Sequence, residues 1–294
     1  MNRTFRIADH YVTVSTSGDV DSLSLLPSFR PFVCEPTDNG ERLFSITLDD
    51  SLQPVPKSQR EHVHDFDTGN GVIKVDDCAD GGSQFIIRDI NDAPCALLIA
   101  EGGFRQYHCA LNGSYNMRSF GLNSAMMLAF AQAGALAGTL LLHASLVRQN
   151  GWGYAFTAKS GTGKSTQVAN WLRYLPDCDM MNDDNPVVRM IDGKPVIYGS
   201  PWSGKTPCYR NVQAPLGALT LIDRAKTNSV EKLDPLTAFT VLLPAISSMK
   251  WNKMLYQHQC DTVIQVISST DCYTLHCLPD RESAVICNQT IRKA

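Results

Sequence analysis

Nine consecutive residues, Ala158, Lys159, Ser160, Gly161, Thr162, Gly163, Lys164, Ser165 and Thr166, are of the types that bind the phosphates of a nucleotide. A phosphate-binding loop asks for a small residue, four free positions, then Gly-Lys and a hydroxyl residue, so that consecutive backbone N–H groups curl around the anion. Gly161 and Gly163 open backbone conformations closed to other residues. In that arrangement Lys164 reaches the β- and γ-phosphates of ATP, and the Ser165 hydroxyl ligates Mg²⁺. Residues 199–206, Gly-Ser-Pro-Trp-Ser-Gly-Lys-Thr, fit the same letters more closely. There Pro201 removes an amide from the cradle, Trp202 fills it, and Pro207 and Pro215 confine any following helix to about two turns. Context therefore favours 158–166 as the phosphate loop.

A Mg²⁺ ion also needs a carboxylate, and the string Asp-Met-Met-Asn-Asp-Asp-Asn-Pro at 179–186 supplies adjacent acids in Asp183 and Asp184. A short strand would carry both back beside the loop, one to hold the metal and one to take the proton of an attacking hydroxyl. Lys205 and Arg210 are cations that could neutralise a transferring phosphoryl group, Arg210 with the fork that suits phosphate. Both are equally readable as surface charges.

Such chemistry needs a strand to deliver the loop and a helix to receive it. Residues 153–157 read as that strand, and 166–175 as the helix, with Val168, Leu172 and Leu175 at helical spacing and Pro176 as a stop. The charge-free run 125–142 is long enough to test as a membrane span. Gln132, Gly134, Gly138 and Thr139, with many alanines, make a buried helix over 122–136 and a strand over 139–147 the better reading. Helical stretches follow at 238–250 and 261–267, then a strand at 273–278 and a closing helix at 281–291. Earlier runs at 11–14, 43–48, 71–75 and 85–88 predict an antiparallel, β-rich domain. The expected organisation is a β-rich domain over 1–117, of unassigned role, and an α/β nucleotide-binding domain over 118–294. His62 and His64 would share a strand face, but no third ligand at metal spacing accompanies them, so an exposed face is preferred.

Bulk properties narrow the field. The 294 residues, 44% hydrophobic and 19% charged, are those of a folded globular chain. A net charge of -3 gives no basic footprint for nucleic acid. Ten cysteines without a Cys-x-x-Cys pair exclude a zinc knuckle or thioredoxin-like motif, and with no secretory signal at the start they suggest a reducing cytoplasm.

Taken together, His143 on the strand before the loop, the run Ser160 to Ser165, and Asp183-Asp184 resemble the catalytic domain of HPr kinase/phosphorylase over residues 139–225. More distantly they resemble the ATP-dependent phosphoenolpyruvate carboxykinases. The resemblance implies an α/β P-loop kinase domain of the HPr kinase/PEP carboxykinase-like type, preceded by the β-rich N-terminal domain. It implies ATP- and Mg²⁺-dependent phosphorylation of a serine on a protein or peptide. Asp183 would then be the base, Asp184 the Mg²⁺ partner, and His143 a neighbour of the γ-phosphate or of the acids. Thr166 stands where HPr kinases carry Glu, so neither HPr nor the reverse reaction is part of the expectation. A small-metabolite kinase and a non-catalytic nucleotide sensor are the alternatives. An ABC-type ATPase lacks its Leu-Ser-Gly-Gly-Gln signature here. Neither nucleic acid nor membrane is an expected partner, and a homo-oligomer is left open.

Overall fold

A computed structural model of the chain describes residues 2–16, 21–36, 42–159 and 161–293. The chain divides into two compact units, residues 1–137 and 138–294. Among the described residues no helix is long and apolar enough to cross a membrane.

The first unit is built on nine strands: β1 (Asn2–Ile7), β2 (His10–Thr16), β3 (Val33–Cys34), β4 (Arg42–Leu48), β5 (Arg60–Asp67), β6 (Gly71–Cys78), β7 (Ser83–Asp89), β8 (Pro94–Ala100) and β9 (Gln106–Leu111). Their order in the sheet is β3-β1-β2-β4-β9-β8-β7-β6-β5. A short helix α1 (Ser22–Leu25) precedes β3, and α2 (Tyr115–Ala135) closes the unit. The expected antiparallel pattern is corrected to a mixed one, because β4 pairs in parallel with both β2 and β9. Four antiparallel steps lead from β5 to β9, so those two run alike, and the connection from β4 to β5 carries the chain across without reversing it. Ser114 caps α2, and Leu122, Met126, Ala129 and Phe130 bury its apolar side. Gly121 permits the close approach to β8: a side chain there would meet the Cys95 carbonyl oxygen at 2.8 Å.

The His62 and His64 pair does not share a face. A bulge at Val63 sets His62 opposite Asp76 but His64 opposite Val75, neighbours that point to opposite sides of β6.

The second unit contains β10 (Thr139–Leu141), β11 (Ala144–Gln149), β12 (Trp152–Thr157), α3 (Lys164–Tyr174), β13 (Cys178–Asp184), β14 (Val187–Ile191), β15 (Lys194–Tyr198) and β16 (Gln213–Arg224). It continues with β17 (Ser229–Lys232), α4 (Pro235–Leu242), α5 (Lys253–Ser269), β18 (Asp271–Cys277) and α6 (Arg281–Ile291). The expectation of an α/β P-loop kinase domain of the HPr kinase/PEP carboxykinase-like type is overturned here. This unit is a second nine-stranded mixed sheet with few helices, ordered β10-β14-β15-β16-β12-β11-β13, with β18 on β16 and β17 on β18. Among the described residues of this unit, parallel pairing is confined to β12–β16 and β16–β18.

Two hairpins are the physical reason. Asn150 and Gly151, with φ of 50° and 82°, join β11 to β12, and Asp192 and Gly193, with φ of 48° and 73°, join β14 to β15. Positive φ at both central residues is the tight turn whose twist suits antiparallel neighbours. Where alternating helices and strands were expected after α3, five strands instead follow in succession.

Alternation along β12 divides the core. Tyr154 and Phe156 pack with Val168 and Trp171 of α3 and Ala284 and Cys287 of α6, while Ala155 packs with Leu242 of α4 and Val263 of α5. Trp171 lies 5.1 Å from the Tyr154 ring and 5.4 Å from Phe156. The inward face of α3 is therefore Val168 and Trp171, not the expected Leu172, which is 39% exposed. The helix expected over 238–250 ends at Leu242, followed by a single 3₁₀ turn that takes in Pro244.

Candidate phosphoryl-transfer site

Strand direction brings the candidate residues to one edge. β11 is antiparallel to both β12 and β13, so the C-terminal ends of β12 and β13 flank the start of β11. Ala144 faces Thr157 on one side and Asp184 on the other, and Ser145 faces Phe156 and Asp183. The loop leaving β12, the acids ending β13 and His143 preceding β11 consequently converge. His143 lies at a corner between β10 and β11, its amide donating to the Ala245 carbonyl at 2.6 Å.

In the loop, Gly161 and Gly163 have φ of 77° and 135°, and a side chain on either would meet no atom within 4 Å. Their need is conformational, since these angles are strained for any residue with a Cβ. Gly163 caps α3 without a side-chain hydrogen bond, so the first amides of the helix and its dipole point out of the loop end. Lys164 opens the helix and is buried, whereas Ser165 and Thr166 are exposed on its first turn. Ala158 is buried beneath the loop and Lys159 is exposed. Thr162 donates its amide to the Lys159 carbonyl at 3.1 Å. Ser160, the remaining expected loop residue, lies outside the described residues.

The two acids occupy different surroundings. Asp183 is 2% exposed, and its Oδ1 accepts from Ser145 Oγ at 2.6 Å and Ser165 Oγ at 2.9 Å. Its Oδ2 accepts the Thr206 amide at 3.1 Å. Asp184 is 32% exposed at its side chain and carries φ of 100°, a left-handed backbone that costs an Asp about 1–3 kcal/mol. Its Oδ1 is 3.5 Å from His143 Nδ1 and 4.0 Å from Lys164 Nζ.

Lys164 Nζ lies 2.5 Å from His143 Nε2. An ammonium only donates, so Nε2 accepts and the imidazole proton is on Nδ1, facing Asp184. Burial lowers the His143 pKa below its ordinary 6.5, with Lys164 adding to the fall and the acids opposing it. Burial likewise lowers Lys164, against the attraction of Asp184 and Asp183. Together they form a Lys-His-Asp chain in which a neutral imidazole joins a cation to a carboxylate.

The second Gly-Lys-Thr segment folds against the acids instead of forming a cradle. Gly204 donates its amide to the Asp183 carbonyl at 2.5 Å, and Ser203 Oγ reaches the same carbonyl at 2.9 Å. Gly204 is needed because a Cβ there would press on Asp184 Cβ at 2.9 Å. Fully buried Asn182 ties this segment down, its Nδ2 donating to Trp202 O at 3.0 Å and its Oδ1 accepting the Asn185 amide at 2.9 Å. Lys205 is exposed on this segment.

Arg210 is not brought to the loop. Its Nη1 donates to Asp179 Oδ2 at 2.6 Å, and Arg148 grips the same carboxylate at 2.9 and 3.0 Å. Burial would raise the Asp179 pKa, but the hydrogen bonds from Arg148 and Arg210 outweigh it and hold the carboxyl below its ordinary value. Asp179 lies near the start of β13 and Asp183 near its end, opposite Arg148 and Ser145 of β11, roughly 10 Å apart at strand rise.

Ser165 Oγ and Asp183 Oδ1 suit Mg²⁺, which takes hard oxygens and commonly only one or two carboxylates beside phosphates and water. Among the described residues no group of three or more His, Cys, Asp or Glu side chains forms an all-protein metal site. Ser145, Asn182 and Arg224 support the loop or the acids without a motif of their own, and Ser203 and Thr206 of the second Gly-Lys-Thr segment do so in a role other than a phosphate cradle. Ser145 had a usable signal, standing two residues beyond His143 at the start of β11. No family model matches the chain, and no curated protein matches its sequence.

Proposed function

We propose that the second unit binds ATP with Mg²⁺ on residues 158–166 and transfers the γ-phosphoryl group to a serine hydroxyl of a protein or peptide. One observation carries the reading: the loop and the acid pair meet, Ser165 on Asp183 at 2.9 Å and Lys164 with His143 on Asp184. Phosphoryl transfer is catalysed mainly by positioning and charge, and these are the groups it needs.

Ser165 and Asp183 would hold Mg²⁺, whose contribution is to neutralise charge across the β- and γ-phosphates. Lys164 would turn its ammonium to the same oxygens, and the amides opening α3 would add their dipole. Asp184 is the better base because its side chain is partly exposed where an acceptor could approach, whereas Asp183 is buried. This exchanges the roles that the family resemblance implies for the two acids. As the serine oxygen bonds to phosphorus and the bond to ADP breaks, the serine proton passes to the Asp184 carboxylate. His143, with Nδ1–H toward Asp184, orients that carboxylate.

The choice of a protein or peptide acceptor rests on the resemblance of His143, the loop and the acids to the HPr kinases. Incubation with γ-labelled ATP, Mg²⁺ and a cell extract tests it. Label is expected as phosphoserine on polypeptide. Label confined to small molecules would establish a metabolite acceptor, and label remaining in ATP would refute the kinase reading altogether.

A further inference from the structure

We propose that Arg224 is a positioning residue that holds the phosphate loop in its anion-binding shape, an inference that rests on the nucleotide-binding reading above. Arg224 ends β16, the strand parallel and adjacent to the one that delivers the loop. Its Nε donates to the Thr162 carbonyl at 3.0 Å and its Nη2 to the Gly161 carbonyl at 2.5 Å. Successive amides can face an anion only when their carbonyls turn the other way, and Arg224 captures two consecutive carbonyls on that outer side.

The loop needs such a clamp. Gly161 and Gly163 give its backbone more freedom to lose than any other residue type would. Within it, one main-chain bond, Thr162 amide to Lys159 carbonyl, is formed among the described residues. The guanidinium also has a shape that an ammonium lacks, with two parallel donors matched to two neighbouring acceptors. The adjoining acid does not draw it away, because Asp223 Oδ2 is engaged with His276 Nδ1 at 3.0 Å. Asp223 and Arg224 are consecutive on a strand and project to opposite faces. Arg224 is therefore committed to the loop, while its neighbour serves the β18 side.

Two measurements on the full chain test the clamp, using wild type, Arg224→Gln and Arg224→Lys. The first is amide hydrogen exchange at 161–165 without nucleotide, and the second is equilibrium titration with ATP and Mg²⁺. Arg224→Gln is expected to speed exchange at those amides about tenfold and to raise the ATP Kd roughly 10- to 100-fold, the worth of hydrogen bonds from a charged donor. Arg224→Lys, keeping the charge but not the fork, is expected to fall between. Unchanged exchange at 161–165 in Arg224→Gln would overturn the proposal. Full wild-type behaviour of Arg224→Lys would also overturn it, by showing that charge alone suffices. A wild-type chain without ATP affinity would defeat the nucleotide reading instead, and the exchange comparison would still decide whether Arg224 holds the loop.

Discussion

The two adjacent aspartates show how much a single strand position decides. Asp183 points inward, to two serine hydroxyls and a backbone amide; Asp184, one residue on, points to His143 and is partly exposed. Asp183→Asn places an NH₂ group among donors, and the loss of buried hydrogen bonds is expected to cost about 1–3 kcal/mol, read as a lowered Tm. Asp184→Asn, on a partly exposed and already strained residue, should leave Tm nearly unchanged. Equal Tm losses in the two variants would contradict this division. His143 carries a pH dependence with a definite sign. Its pKa is lowered on folding, so the unfolded chain binds more protons below about 6.5 and stability falls as pH drops through that value. Protonation also removes the acceptor for Lys164 and sets two cations together. His143→Gln should therefore lose less stability than wild type between pH 7.5 and 5.5 in denaturant titrations, and identical losses would count against the Lys-His-Asp chain.

At the level of elements, the stretches around the loop were largely readable because their signals are local. The strand before the loop, the helix after it and the closing helix follow from hydrophobic spacing and glycine or proline punctuation. Which strands pair, and in which direction, depended on turns that pattern reading passed over. Asn150-Gly151 and Asp192-Gly193 are strong hairpin signals; the first folds β12 back on β11, whose other edge takes β13, and His143 is thereby placed beside the acids. Gly151→Val meets no steric neighbour, yet its positive φ should cost about 1–2 kcal/mol in a chemical denaturation curve. A neutral outcome would mean that the turn is not set by glycine. Arg210 shows the opposite limit. Spacing put an arginine near an acidic strand but did not say which end of the strand, and it pairs with Asp179 at the start. Asn182 was invisible for another reason: its value lies in contacts to residues twenty positions away, which no local pattern encodes.

For the molecule as a whole, the residues that meet around the loop were legible, Ser165 with Asp183 and His143 with Asp184, while the architecture around them was not. A three-strand parallel core, β12, β16 and β18, carries the loop inside a sheet that is otherwise antiparallel. Loop motifs are satisfied by one strand, one turn and one helix, so they do not specify the remaining strands. A ligand that binds only the folded chain raises its stability, and saturating ATP with Mg²⁺ at about 100 times Kd should add roughly 2.7 kcal/mol, seen as a rise in Tm. The most direct test of a phosphoryl-transfer site is the paired measurement of ATP Kd and ATP-dependent turnover with a cell extract, in wild type and Asp184→Asn. The expected result is a variant that binds ATP within about threefold of wild type but turns it over at least about 100-fold more slowly, the usual worth of a general base. Equal turnover by the two chains, or no ATP binding by wild type, would contradict it.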